Sequence, residues 1–293
     1  MKFSVVILPE HPWDQAVSIW QRAERLGFEQ AWTYDHLAWR TLADGPWYAA
    51  MPTLTAAALA TTTMRIGTLV ASPNFRHPVP FAKELVTLDD ISGRRLTLGL
   101  GAGGIGFDAT VLGQDVLPPK DRADRFVEFV ELLDQLLHAD HTSTSGDYFT
   151  AVDARTVPLP IQRPGIPFVI AANGPRMMRL AATYGSGWVT TGSIDPDDGL
   201  ASWWSNIADL ANRFADVAGA STREPSDIDR YLSVDASGVS ALSSVGYFEE
   251  CVGRAMELGF SNLIVHWPRP SGVYAASESV LEEVAARYLL DAR

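Results

Sequence analysis

Thiols are nearly missing from this sequence. Cys251 is its single cysteine, which excludes an internal disulfide and leaves no cysteine cluster for a metal. Lysine is almost as scarce, at Lys2, Lys83 and Lys120, and 23 basic residues face 35 acidic ones, for a net charge of −12. A chain so short of positive charge is poorly suited to nucleic acid or to an anionic membrane, since both need a basic surface. No apolar run reaches the roughly 20 residues needed to span a bilayer. The opening MKFSVVILPE has one lysine, a short apolar run that stops at Pro9 and no small-residue cleavage site. It reads as a first strand rather than a leader, and a cytoplasmic location is expected. Two phosphate fingerprints are missing as well: no Gly-x-Gly-x-x-Gly follows the first strand, and no Gly-Lys-Ser/Thr ends a glycine loop.

What is present is a core. Apolar residues make up 47% of the chain and charged residues 20%, enough to bury a large interior. Short β-rich runs alternate with longer helical patterns from end to end. Strands are expected at Phe3 to Leu8, Gln30 to Tyr34, Ile66 to Ala71 and Leu96 to Leu100. Four more fall at Phe168 to Ala171, Gly187 to Thr191, within Asp229 to Asp235, and at Asn262 to His266. Helices are expected between them, over Trp13 to Leu26, Pro52 to Thr62, Pro78 to Ile91 and Asp121 to Leu137. The later helices are Arg176 to Tyr184, Leu200 to Ala218, Ser244 to Leu258 and Glu278 to Leu290. Only His138 to Pro167 breaks the alternation, with a hairpin around TSGDYF and then many prolines. Eight βα units with no composition break predict one (β/α)₈ barrel domain over residues 1–293, with an irregular insertion between units four and five. An open doubly wound sheet is the competing α/β arrangement. The near-duplicate segments ERLGFEQAWTYDH and MELGFSNLIVHWP are then the same architectural joint, a Gly-terminated helix running into a buried strand.

Barrel enzymes place their chemistry at the carboxyl ends of strands. After strand two stand Asp35 and His36, with Trp39 close behind. A lone histidine is usually structural, but here an acid, an imidazole and an indole arrive together, which suits proton transfer. Asp35 reads equally as an orienting carboxylate or a structural group. After strand three, Arg76 and His77 are either an anion contact or part of a plain helix entry. Five glycines between Gly99 and Gly106, including Gly103 and Gly104, follow strand four. They fit either a cradle for phosphate or a tight turn. Asn173, Gly174, Pro175 and Arg176 follow strand five as an anion site at a helix start, or as an ordinary capped one. His266 closes strand eight, as a substrate contact or as rim packing.

The stretches LGFEQAWTYDH, RIGTLVASPNFRHP, LDDISGRRLTLGLGAG and AANGPRMMRLAATYGSGWV together resemble the luciferase-like monooxygenase superfamily, in its branch of deazaflavin (coenzyme F420)-dependent oxidoreductases. The resemblance implies a TIM barrel with the coenzyme ring over its mouth and the phosphate tail near the loops after strands four and five. It places His36 and Asp35 beside the ring as catalytic residues. A non-proline cis peptide at Leu69-Val70 would back the ring. With Asp35, Leu69, Val70 and Ala71, the cofactor contacts it implies are Ala102, Gly103, Gly104, Asn173, Gly174, Pro175 and Arg176. Trp39, Arg76, Trp188 and His266 are assigned to the substrate side. Sugar-phosphate dehydrogenases of the family carry a glutamate acid where this chain has Gly104, so the same substrate is not implied. The expected activity is hydride transfer between F420 and a small organic substrate, with no metal. An FMN-dependent monooxygenase and a non-catalytic flavin-binding protein are the alternatives, and a homodimer is possible by resemblance.

Overall fold

A computed structural model of the chain describes residues 1–193 and 198–290. The strands are β1 (Lys2–Val6), β2 (Gln30–Thr33), β3 (Arg65–Ala71), β4 (Leu96–Leu100), β5 (His141–Ser145), β6 (Thr150–Arg155), β7 (Phe168–Ala171), β8 (Gly187–Thr190), β9 (Asp229–Ser233) and β10 (Asn262–His266). Eight of them close into a barrel in the order β1-β10-β9-β8-β7-β4-β3-β2, and β5 with β6 forms a separate antiparallel hairpin. Residues of β2, β4, β8 and β10 are buried throughout, as strands covered on both faces must be, which is why apolar residues dominate them without a period-two alternation. The fold is the (β/α)₈ barrel, and its irregular excursion lies between the fourth and fifth units.

The helices are α1 (Trp13–Arg25), α2 (Ala50–Ala60), α3 (Pro78–Ile91), α4 (Pro119–His138), α5 (Pro175–Tyr184), α6 (Gly199–Gly219), α7 (Val245–Glu257) and α8 (Glu278–Val284). Helix α2 begins two residues before the Pro52 expected to start it. A proline is tolerated anywhere in a first turn, where its missing N–H has no partner to lose. The last helix is not uniform: α8 gives way to a π-turn over Ala285–Leu289. At the two LGF joints Gly27 and Gly259 both hold positive φ, at 93° and 78°, and Phe28 and Phe260 behind them are buried. Among the described residues no helix is long and apolar enough to cross a membrane.

The chain divides into two compact units. One comprises Met1–Ile7, Ile19–Trp32 and Val169–Arg293, the other Leu8–Ser18 and Thr33–Phe168. In the first, Phe248 lies 5.7 Å from Phe3 and 5.4 Å from Tyr288 between ring centroids. Cys251 is fully buried there, and burial pushes its thiol up to about 12. In the second, Phe129 of α4 packs between Phe81 of α3 and Phe149 of the hairpin, at 6.2 and 5.7 Å. The Glu128 carboxylate accepts the backbone N–H groups of Asp147, Tyr148 and Phe149 and so fixes the hairpin turn to α4. Buried Asp89 does the same for the proline-rich return, accepting from the amides of Ile161 and Gln162 and from Gln162 Nε2.

His77 caps α3, its Nδ1 accepting the Val79 N–H at 3.2 Å. That nitrogen must be unprotonated to accept, and burial holds the imidazole below its ordinary value. The native state therefore binds fewer protons than the unfolded chain. The cap's contribution, about 1 kcal/mol, is complete above the unfolded imidazole's pKa and drains as the pH falls through the native one. Urea unfolding between pH 8 and 5 is expected to show this loss in the wild type and not in His77→Asn, which caps without titrating.

Candidate functional site

Strand β3 breaks register between Thr68 and Ala71, and Leu69-Val70 is a cis peptide, at the bond the resemblance singled out. The Thr68 hydroxyl donates to the Gly99 carbonyl at 2.8 Å and ties the irregularity to β4.

His36 and Asp35 leave β2 towards different partners. The His36 Nδ1 is bonded to Asp108 Oδ2, and the other carboxylate oxygen, Oδ1, accepts the Leu37 N–H at 2.8 Å. A carboxylate only accepts, so Nδ1 carries the proton and Nε2 is left as the imidazole's second nitrogen. Asp108 is buried, while the His36 side chain keeps 30% exposure. Trp47 donates its indole N–H to the His36 carbonyl at 2.8 Å and lies parallel to Trp39, with centroids 6.3 Å apart. Tyr34 meets the His36 ring edge-on at 5.9 Å. An aromatic wall thus adjoins the imidazole, and Trp39, expected on the substrate side, stands within it, almost fully buried.

Asp35 does not orient His36. Its carboxylate is held in a two-point bond by Arg76 Nε and Nη2, the latter at 2.7 Å. Arg76 also donates to Glu84 at 2.9 Å and lies over the Phe81 ring at 4.4 Å. Burial pulls this guanidinium down, but the hydrogen bonds and charges of Asp35 and Glu84 outweigh it and hold it above its ordinary value. Arg76 is therefore committed to protein carboxylates rather than offered to a ligand at the rim.

The glycine turn after β4 rests on Asn74. The Asn74 side-chain amide donates to the Gly104 carbonyl at 3.2 Å, and its oxygen accepts from Arg125 Nη2 at 2.6 Å. Gly103 has φ 79°, and a Cβ there would lie 2.5 Å from that Asn74 oxygen, whereas one at Gly104 would make only an ordinary contact, 3.9 Å from the Gly106 nitrogen, and Gly106 faces open space. Arg125 is buried, and its Nε has no partner among the described residues. Burial lowers its pKa, Tyr148 opposes this, and the charge of Arg122 adds to the lowering. A buried guanidinium beneath a turn of bare amides fits an anionic group.

The remaining expected residues belong to the other unit. Asn173 accepts from Thr190 Oγ1 at 2.7 Å and donates to the Gly192 carbonyl at 3.0 Å. Gly174 precedes α5 without a side-chain cap, and Pro175 takes the first helical position; Arg176 is exposed. Trp188 is not a pocket wall. It is fully buried, stacked on Phe214 at 4.3 Å, and its indole N–H donates to the Ala172 carbonyl at 2.7 Å. Its bulk fills the layer between β8 and α6. His266 is also buried, with Nδ1 2.9 Å from Asp235 Oδ2 and Tyr274 stacked on its ring at 3.5 Å.

Asp108, Asn74, Arg125 and Asp235 are the residues that reading the sequence missed. One signal was available: Arg125 shares the buried face of α4 with Phe129, Leu132, Leu133 and Leu136, an arginine where periodicity asks for an apolar side chain. Arg76→Met is expected to destabilise the fold by about 3–5 kcal/mol in urea titrations, because it leaves buried Asp35 without its partner. Asp35→Asn combined with Arg76→Met should recover most of that loss.

Comparison with known proteins places this geometry. Residues 1–237 match the luciferase-like monooxygenase family. The 4-hydroxyprotoasukamycin monooxygenase of Streptomyces nodosus subsp. asukaensis is 31% identical over 78% of this chain, and the match spans 62% of that protein's own length. The F420-dependent hydroxymycolic acid dehydrogenase of Mycobacterium tuberculosis is 30% identical over 94% of this chain and 71% of that protein. An F420-dependent secondary alcohol dehydrogenase, solved with an F420-acetone adduct, superposes with a TM-score of 0.80 at 18% identity, covering 99% of this chain and 98% of its own. That last likeness confirms the barrel fold, and with the family match along most of its length this chain belongs to the luciferase-like monooxygenase family.

Proposed function

We propose that the chain is an F420-dependent oxidoreductase that transfers hydride to or from a small organic substrate, working as one barrel domain with His36 as its proton-transfer residue. The observation that carries the reading is the Asp108–His36 pair. A buried carboxylate holds Nδ1 and leaves Nε2 of a partly exposed imidazole for a substrate. A positioned general acid or base of this kind contributes about 10²–10⁴ in rate. When bound, the deazaflavin supplies a two-electron hydride donor or acceptor, and the protein supplies orientation and electrostatics.

The residues fit such a coenzyme. Under this reading Leu69, Val70 and Ala71 back the ring, where the backbone is already irregular. Ala102, Gly103 and Gly104 receive the phosphate tail. Arg125 favours an anion at the glycine turn, since its Nε has no partner among the described residues. Asp35 contributes indirectly, by fixing Arg76 and with it the segment that leads into α3. The F420-dependent relative supports this coenzyme. The monooxygenase relative keeps FMN as the competing one.

Titration with F420 and with FMN, each followed by quenching of tryptophan fluorescence, separates the two. Binding of F420 is expected, and tight binding of FMN with none of F420 would overturn the reading. With F420 bound, His36→Ala should lower kcat by about 10²–10⁴, and Asp108→Asn should lower kcat while leaving coenzyme affinity intact. Wild-type turnover by His36→Ala at every pH would remove the proton-transfer role.

A further inference from the structure

The loop between β4 and α4 is unusual in what it exposes. Between residues 104 and 116 Asp108 is the only buried position. Around it Ile105, Phe107, Val111 and Leu112 stand in solvent, at 69, 52, 57 and 60% exposure. Scattered apolar side chains on a surface need no explanation, but four within eight residues of a loop at the functional end of a barrel do.

The loop is not free to lie anywhere, because Asp108 pins it to the segment after β2 through His36 and the Leu37 amide. Each partner of that clamp has an exposed apolar neighbour in the chain, Phe107 beside Asp108 and Leu37 beside His36. Behind His36 stand the Tyr34 ring and the Trp39–Trp47 stack. The charge nearby is largely engaged. Arg76 is paired with Asp35 and Glu84, Arg125 is taken under the proposed function by the coenzyme's anionic tail, and Arg40 lies over the Trp39 ring at 5.1 Å.

We propose that the exposed apolar loop and the aromatic wall form the substrate side of the site, and that they select an uncharged substrate with a sizeable apolar body rather than a phosphorylated sugar. The inference rests on the proposed function for the identity of the site and deepens it by naming the substrate class. Leu37 and Phe107 take the apolar body, and the partly exposed imidazole meets the polar atom at its reacting end. Such a surface discriminates by apolar area removed from water, so affinity grows with ligand length until the wall is covered.

The test is calorimetric binding of 2-butanone, 2-hexanone and 2-octanone, with glucose 6-phosphate as the charged competitor. It uses protein saturated with F420, or with FMN should F420 not bind. Affinity is expected to rise about fourfold per added methylene, equivalent to about 0.8 kcal/mol for each buried CH₂, with no displacement by glucose 6-phosphate. The double substitution Phe107→Ser, Leu112→Ser is expected to flatten that dependence. Equal affinity along the series, or binding of glucose 6-phosphate in preference to the ketones, would overturn the inference. So would a double variant that keeps the full dependence but sediments as a smaller species, because the loop would then be a contact between two copies of the chain. A failure of F420 to bind is read in its own titration and bears on the coenzyme alone, since the ketone series remains readable on the FMN-loaded protein.

Discussion

One carboxylate joins the parts on which this site depends. Asp108 accepts a backbone N–H from Leu37 with one oxygen and engages His36 Nδ1 with the other. The first bond fixes the position of the chain after β2, and the second fixes the tautomer and the ring of the only histidine placed there. Without that pair the loop from 104 to 116 would have no buried attachment, and the imidazole would be free to turn either nitrogen outward. A charge-assisted bond is about twice as strong as a neutral one, and burial keeps water from competing for it. The same contact therefore sets local order, proton chemistry and the placement of the apolar loop.

The surrounding electrostatics follow a consistent division of labour. Asp35 and Arg76 neutralise one another in a two-point bond, with Glu84 taking the remaining guanidinium edge, so this cluster shapes the backbone between β3 and α3 and leaves no positive charge for an anionic ligand. Arg125 is the contrasting case. It sits under Asn74 with an Nε that has no partner among the described residues, and a buried cation without a counter-charge is costly unless something anionic meets it. The glycine turn above it is open at Gly106, uncrowded at Gly104 and filled at Gly103. A phosphate-bearing coenzyme would satisfy both features at once, which is why the cradle and the cation are better explained together than apart.

Much of the architecture was legible in the sequence, because barrel strands and helices announce themselves locally. The bounds of α3, β4, β7 and β10 follow from apolar runs and from proline and glycine punctuation, and the LGF joints from the left-handed glycine each requires. The cis bond at Leu69-Val70 was reached through resemblance, since nothing in Leu-Val itself asks for it. The site was less legible for a physical reason: its decisive contacts are long-range. Asp108 is 72 residues from His36, in a loop with no periodicity, while Asp35, adjacent to the histidine, turned to an arginine 41 residues away. Adjacency in sequence was the wrong guide to which carboxylate meets the imidazole. Trp188 shows the same limit, because a tryptophan within a barrel strand can pack outward against a helix, as this one does on Phe214, as readily as line a mouth.

The account stands on the orientation that Asp108 imposes on His36, and nitrogen-15 NMR of the imidazole ring reports it directly. In protein labelled at histidine, the His36 resonances are expected to show the neutral ring carrying its proton on Nδ1, with Nε2 bare. Replacement by Asp108→Asn should relax that preference. A neutral His36 carrying its proton on Nε2 in the wild-type protein would contradict the account.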